Sequence, residues 1–328
     1  MPTHNIARVY ANTNHTLGPA HWDYNSRTVN WGDMEDFQLG EQVGRGHYSQ
    51  VFRCWERMTG KRMVVKILRE RRDLEQKAKR EIRILELLLE GPSIITIYRP
   101  VADIRTQTFG IVFEQAGSTT LAELEGDLGK EDIRLYMFQL LLALDYSHSR
   151  GIMHRDVKPR NIMVRSGTKQ LKLIDWGMAD FYFPGKEYTW HVDSKHYKAP
   201  EVLVQFTMYD YSLDIWGVGC ILAGLAFQIF PFFNGDNPAD QLDMITRVLG
   251  SQVMIAFLAR YEVVVQGLVA RRKMGWQEFY SFRNRNLVDR EVEDLLDRML
   301  VPDMQQRISA GEALEHPYFE ICRRFWRR

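Results

Sequence analysis

The stretch His154-Arg155-Asp156-Val157-Lys158-Pro159-Arg160-Asn161 decides how this chain is read. It sets a carboxylate, a cation and an amide close together, between an apolar helical run and a short apolar strand. Asp156, on a loop, is able to accept a proton from a hydroxyl group. Lys158 is placed to neutralise charge on a transferring phosphoryl group, and Asn161 to bind a metal ion. A lone Arg-Asp pair is usually a loop salt bridge, but the Lys-Pro-x-Asn tail argues for chemistry here.

Working outward, Gly44-x-Gly46-x-x-Ser49 joins two β-rich runs, so its backbone can approach phosphates closely. It is not a dinucleotide fingerprint, because no helix follows, and it lacks the Gly-Lys-Ser/Thr of a Walker loop. Lys66, inside the run Met63–Leu68, would be costly to bury unpaired, and Glu81 on the following helix is its natural partner. Asp175-Trp176-Gly177 ends an expected strand over Leu171–Ile174 and supplies a second oxygen ligand for a hard cation such as Mg²⁺. Ala199-Pro200-Glu201 closes the segment that begins at Asp175, and Arg307 lies far downstream.

The first 36 residues have no strong period but carry Trp22, Tyr24 and Trp31, aromatics that point to docking rather than free disorder. Strands are expected through Phe37–Phe52, Met63–Leu68, Ile94–Tyr98 and Gly110–Glu114. Between them lies a helix capped by Asp73 and ended by Gly91-Pro92, with Leu74, Ala78, Ile82, Leu85 and Leu89 as its apolar stripe. Ala116-Gly117-Ser118 is the expected linker, after which the chain turns helical, starting with Asp132–Ser149.

A chain of 328 residues is long enough for two packed lobes. Its composition, 45% hydrophobic and 26% charged, is that of an ordinary globular protein, and a net charge of +1 leaves any attraction for acidic partners to local patches. Cys54, Cys220 and Cys322 form no metal pattern and point to a reducing compartment. The uncharged run Ile215–Phe233 contains several glycines and Pro231, so a buried helix is expected rather than a membrane span. No nucleic-acid reading module is recognised, and neither nucleic acid nor membrane is an expected partner.

Taken in order along nearly the whole chain, these motifs resemble a protein Ser/Thr kinase. More narrowly, Trp22-Asp23-Tyr24, Trp31-Gly32, Gly91-Pro92-x-Ile94-Ile95, Ile174-Asp175-Trp176-Gly177 and Glu315-His316-Pro317-Tyr318-Phe319 resemble the casein kinase 2 catalytic (alpha) subunits. The resemblance implies an α+β, bilobal protein kinase fold, with a small antiparallel β-sheet N-lobe carrying one main helix and a mostly α-helical C-lobe. It divides the chain into an N-terminal extension (1–36) packing on the core, an N-lobe (37–116) and a C-lobe (117–328).

The same resemblance implies ATP and Mg²⁺ as cofactors, Asp156 and Lys158 as catalytic residues, and Asn161 and Asp175 as metal ligands. It implies an ATP pocket formed by Gly44, Arg45, Gly46, Ser49, Val51, Val64, Lys66, Glu81, Phe113, Glu114, Ala116, Met163 and Ile174, with Phe113 at the back. Acidic protein substrates would be met by Lys77, Lys79 and Arg80 and by His191, Lys195 and Lys198. Glu70, Asp73 and Glu75 dilute the first of these groups and Asp193 the second. Trp22, Tyr24 and Trp31 would hold the activation segment open without phosphorylation, although Thr189 and Ser194 remain candidate phosphorylation sites. A regulatory beta subunit and the use of GTP stay open, the latter because Gln115-Ala116 departs from the family's His-Val. Cytoplasmic and nuclear residence is expected. Two other readings stand beside this one: a pseudokinase or scaffold subunit, and a related kinase with a different motif preference. The intact set Lys66, Glu81, Asp156, Lys158, Asn161 and Asp175 argues against the scaffold.

Overall fold

Burial alternates along the start of Arg62–Leu68, with Met63 and Val65 buried and Val64 and Lys66 half-buried, so the strand presents two different faces. In the computed structural model, which describes residues 5–46, 49–68, 74–191 and 194–326, one face carries Met63 and Val65. These pack with Phe37, Cys54, Val101 and Val112 in a small core of their own. The other face carries Val64 and Lys66.

The chain begins with two short helices, α1 (Thr13–Leu17) and α2 (Pro19–Trp22), and the edge strand β1 (Gly32–Asp33). Strands β2 (Phe37–Arg45), β3 (Ser49–Glu56) and β4 (Arg62–Leu68) follow, then helix α3 (Leu74–Leu87) and strands β5 (Ile97–Asp103) and β6 (Thr108–Glu114). Among the described residues these strands form a six-stranded sheet in the order β1-β5-β6-β4-β3-β2. Every pairing is antiparallel except that of β1 with β5, so the sequence before Phe37 contributes one parallel edge strand.

The helical half opens with β7 (Thr119–Thr120) and α4 (Lys130–Ser149). Ile133, Met137, Leu140, Leu141 and Leu144 of α4 are all buried. Strands β8 (Ile152–Met153), β9 (Ile162–Arg165), β10 (Gln170–Leu173) and β11 (Asp180–Phe181) come next, then α5 (Pro200–Leu203) and α6 (Ser212–Phe227). Every residue of α6 is buried, and the chain leaves it at Gln228, whose φ is +59°. The apolar run Ile215–Phe233 is thus a core helix followed by a loop. Among the described residues no single helix is long and apolar enough to cross a membrane.

Two expectations need correction. The strand expected at Ile94–Tyr98 begins at Ile97 and runs to Asp103. Ile94 and Ile95 are buried, but their backbone is tied to β10 across the lobes, with Ile95 N–H donating to Leu173 O at 3.1 Å. The α3 stripe also stops early: the helix ends at Leu87, Leu88 is buried and Leu89 is exposed. The chain tightens there, with Leu88 N–H reaching the carbonyls of both Ile84 and Leu85. The cap expected from Asp73, and the side chain of Leu74, lie outside the described residues.

Backbone crowding fixes the linker between the lobes. A Cβ at Gly117 would stand 2.5 Å from Val164 O, so β9 can approach the linker only over a glycine.

Candidate active site

The sheet register assembles the first half of the site. Gly44 pairs with Val51, Val51 with Lys66, and Lys66 with Ile111, while Val64 pairs with Phe113. Because alternate residues share a face, Val51, Val64, Lys66 and Phe113 lie on one side of the sheet. Phe113 and Ala116 are buried, and Val51, Val64, Met163 and Ile174 are half-buried. Gly46 N–H donates to Ser49 O at 2.9 Å and closes the glycine turn, with Arg45 exposed beside it. His47 and Tyr48 lie outside the described residues. The Glu114 carboxylate accepts from the Thr96 amide and from Lys172 through one oxygen, Oε1, while its own N–H donates to Thr96 O at 3.0 Å.

From β4, Lys66 Nζ reaches Glu81 Oε1 of α3 at 2.7 Å and Asp175 Oδ1 at 2.8 Å, joining the two lobes. Burial works against the Lys66 ammonium, but the Asp175 and Glu81 carboxylates outweigh it and hold its pKa above the ordinary lysine range. Burial pushes the Glu81 carboxyl up, against the pull of Lys66. The Lys66 charge holds Asp175 down at about 2, so it is ionised at neutral pH. Asp175 has φ +58°, and Gly177 beyond it allows the cluster to close: a Cβ there would lie 3.1 Å from Lys66 Nζ. Trp176 is buried, with its indole N–H donating to Leu173 O at 3.3 Å. That bond adds a directional anchor to the bulk of the ring.

The catalytic stretch is held from below. Asp214, on α6, accepts from His148 Nε2 at 2.9 Å and from the backbone amides of His154 and Arg155 at 2.9 and 2.8 Å. Burial alone would raise its pKa; the hydrogen bond from His148 and the amides hold it low instead. Arg155 takes φ +66° and turns its buried guanidinium toward the segment after Asp175. There it donates to Met178 O at 2.7 Å and to the Tyr209 hydroxyl at 3.2 Å, and lies 3.4 Å from Asp180 Oδ2. Glu201 and Arg307, both fully buried, form a two-pronged pair at 2.8 and 2.9 Å.

Above this brace Asp156 Oδ2 accepts from Lys158 Nζ at 2.7 Å and from Asn161 Nδ2 at 2.8 Å. The Asn161 amide nitrogen is therefore committed to Asp156, which leaves its carbonyl oxygen as a ligand atom. Ser194 supplies a contact that sequence reasoning missed. Its hydroxyl lies 3.3 Å from Asp156 Oδ1 and 2.7 Å from Lys158 Nζ. A short-chain hydroxyl thus already occupies the place between carboxylate and ammonium. The sequence singled Ser194 out only as a candidate phosphorylation site.

A cation fits this donor set. Among the described residues no group of three or more His, Cys, Asp or Glu side chains could cage a metal. Asp175 and the Asn161 carbonyl offer hard oxygens and leave room for phosphate oxygens, the arrangement Mg²⁺ favours.

A family model for the protein kinase domain matches residues 37–319. The chain belongs to the protein kinase family. As a protein kinase, it has Lys66, Glu81, Asp156, Lys158, Asn161 and Asp175 gathered around one cleft between a sheet lobe and a helical lobe.

The basic residues expected to read substrate are more scattered. Lys77 is exposed on α3. Lys79 faces residues 24–30 and pairs with Glu75 at 2.9 Å. Arg80 turns the other way, donating to Gly177 O at 3.3 Å and lying 3.7 Å from Asp180. His191 is exposed and stacked on Trp190, Lys195 is exposed 3.9 Å from Asp236, and Lys198 is half-buried. Asp193 lies outside the described residues.

Proposed function

We propose that this protein kinase transfers the γ-phosphate of ATP to serine or threonine in acidic protein substrates, in the manner of the casein kinase 2 catalytic subunits, and that it is active without phosphorylation of its own activation segment. The observation that carries the reading is the Ser194 hydroxyl between Asp156 and Lys158. A serine or threonine of a substrate, entering in its place, would present an oxygen to both groups at once.

In the reaction the substrate oxygen bonds to the γ-phosphorus, the bond from that phosphorus to the β,γ-bridging oxygen breaks, and ADP leaves. Asp156 orients the hydroxyl and takes its proton, and Lys158 stabilises charge on the transferring group. Lys66, fixed by Glu81, is the cation for the nucleotide phosphates. Asn161 and Asp175 would hold Mg²⁺, which when bound neutralises phosphate charge.

Support for activity without phosphorylation comes from the extension and from Asp180. Trp22 packs edge-on against Phe183, with ring centroids 5.2 Å apart, and Tyr24 stacks on Phe181 at 6.3 Å. Trp31 goes elsewhere, onto Phe109 of β6. Asp180 gives Arg155 a carboxylate where a phosphate would otherwise be needed. Acidic specificity draws on Lys77, Lys195 and Lys198, each exposed or half-exposed. A regulatory beta subunit and residence in cytoplasm and nucleus come to this chain through the resemblance alone.

The test is phosphorylation of a peptide library by the purified chain with Mg²⁺ and ATP, followed by identification of the modified residue. Phosphoserine and phosphothreonine in acid-rich peptides are expected. No transfer, phosphotyrosine as the main product, or a preference for basic peptides would overturn the reading.

A further inference from the structure

Away from the cleft, Tyr24, Arg27, Thr28, Val29 and Asn30 line, with α3 and β5, a half-open cavity of about 340 Å³. Arg27, Lys79, Arg83 and Arg99 line it with one carboxylate, Glu86, while Lys79 and Arg99 also pair with Glu75 and Asp36 outside the lining. One oxygen of Glu86 is shared by two guanidiniums, at 3.8 Å from Arg27 and 3.5 Å from Arg83, both beyond good hydrogen-bond distance. Arg83 is otherwise committed to the extension, donating to the carbonyls of His21 and Ala20 at 2.8 Å each. Burial and the neighbouring Arg27 lower its pKa, as expected where like charges are crowded.

Arg99 lines the cavity from β5, its Nη2 bonding Asp36 at 2.8 Å. The rest of the cavity includes the apolar side chains of Ile82 and Ile97. Its volume lies within the ~300–1,000 Å³ of small-molecule pockets.

We propose that this cavity binds a small phosphate ester, its dianion among the four cations and its apolar body against Ile82 and Ile97, and that the bound ester clamps the extension onto α3. Helix α3 carries Glu81, so a ligand bridging α3 and residues 24–30 favours the Lys66–Glu81 pair. Binding at one site then raises activity at another, a coupling typically about fivefold or more. The activity arm rests on the kinase reading, whereas the binding arm does not, so the two can fail separately.

The experiment uses the full chain with its cleft saturated by a non-hydrolysable ATP analogue and Mg²⁺, and phenyl phosphate as the calorimetric probe. Saturable binding that weakens with salt is expected, as is a loss of roughly tenfold in Arg27→Glu and in Lys79→Glu, the scale of one charge-assisted hydrogen bond. Arg27→Gln, neutral and of similar length, should lose affinity in the same direction, and unchanged affinity for the ATP analogue shows that each variant is folded. In a peptide assay with ATP, phenyl phosphate should raise kcat/KM of the wild type about fivefold. Absence of saturable binding, equal affinity in all variants, equal binding of benzyl alcohol, or binding with no rise in kcat/KM would each overturn the proposal.

Discussion

Asp180→Asn tests whether a carboxylate built into the chain does the work of an activation-segment phosphate. The substitution keeps shape but removes the charge facing the buried Arg155 guanidinium at 3.4 Å. Breaking a buried ion pair from one side typically costs ~3–5 kcal/mol. The lower end applies, because Arg155 keeps its bonds to Met178 O and the Tyr209 hydroxyl. An unfolding entropy of ~2.1 cal/mol/K per residue gives about 0.7 kcal/mol/K for 328 residues, so ~3 kcal/mol lowers Tm by about 4 °C. Activity should fall further than stability, because the same segment carries Asp175 and Ser194. Displacing such groups by about 1 Å can cost roughly a hundredfold in rate. The assay is kcat/KM on phosphatase-treated wild type and variant, with Tm measured in parallel. A phosphatase-treated wild type that loses activity, or a variant with unchanged kcat/KM, would refute the reasoning.

Asp156→Ala should reduce phosphotransfer roughly 10²–10⁴-fold while nucleotide affinity, read by calorimetry, stays close to wild type, because the proposed role of Asp156 is on the acceptor hydroxyl. Deleting residues 1–32 should lower kcat/KM roughly tenfold, the scale of a coupling of 1–3 kcal/mol, with ATP binding retained; an unaffected kcat/KM would remove the extension from the account. The Asp175 carboxyl, held at about 2, contributes stability that is complete above its unfolded value of ~3.9 and is lost as pH falls toward about 2. Urea unfolding over that window should therefore show a flatter acid limb in Asp175→Asn than in wild type.

Much of the cleft was legible because its chemistry ties residue type to spacing. A lysine two residues from Val64 on one strand must share its face, and a buried ammonium demands a carboxylate, which Glu81 supplies at 2.7 Å. What escaped the sequence depends on partners far along the chain. Ile94 and Ile95 looked like strand residues, but their backbone bonding is decided by Leu173 in the other lobe. Lys79 and Arg80 looked like one basic patch; at about 100° per residue the helix sends one toward the extension and the other toward Gly177 and Asp180. Asp180 and Ser194 carry no motif, and their roles appear only once the segment between Asp175 and Glu201 is folded over the catalytic stretch.

The contacts that hold this segment are mostly of a kind that cannot be switched by removing a phosphate. Asn14 Nδ2 donates to the carbonyls of both Gly151 and Tyr182 at 2.8 Å, and Ala7 N–H donates to the Tyr182 hydroxyl at 2.8 Å. Arg83 ties α3 to the same extension through two main-chain carbonyls. One continuous piece of chain therefore touches the helix that positions Glu81 and the segment that follows Asp175. Buried hydrogen bonds and aromatic packing are screened by salt far less than exposed charge pairs. On the proposed function, the arrangement of this segment should therefore survive changes in ionic strength that weaken the proposed recognition of acidic substrates through exposed lysines. Salt would then separate the two properties, one built from buried contacts and the other from solvated charge.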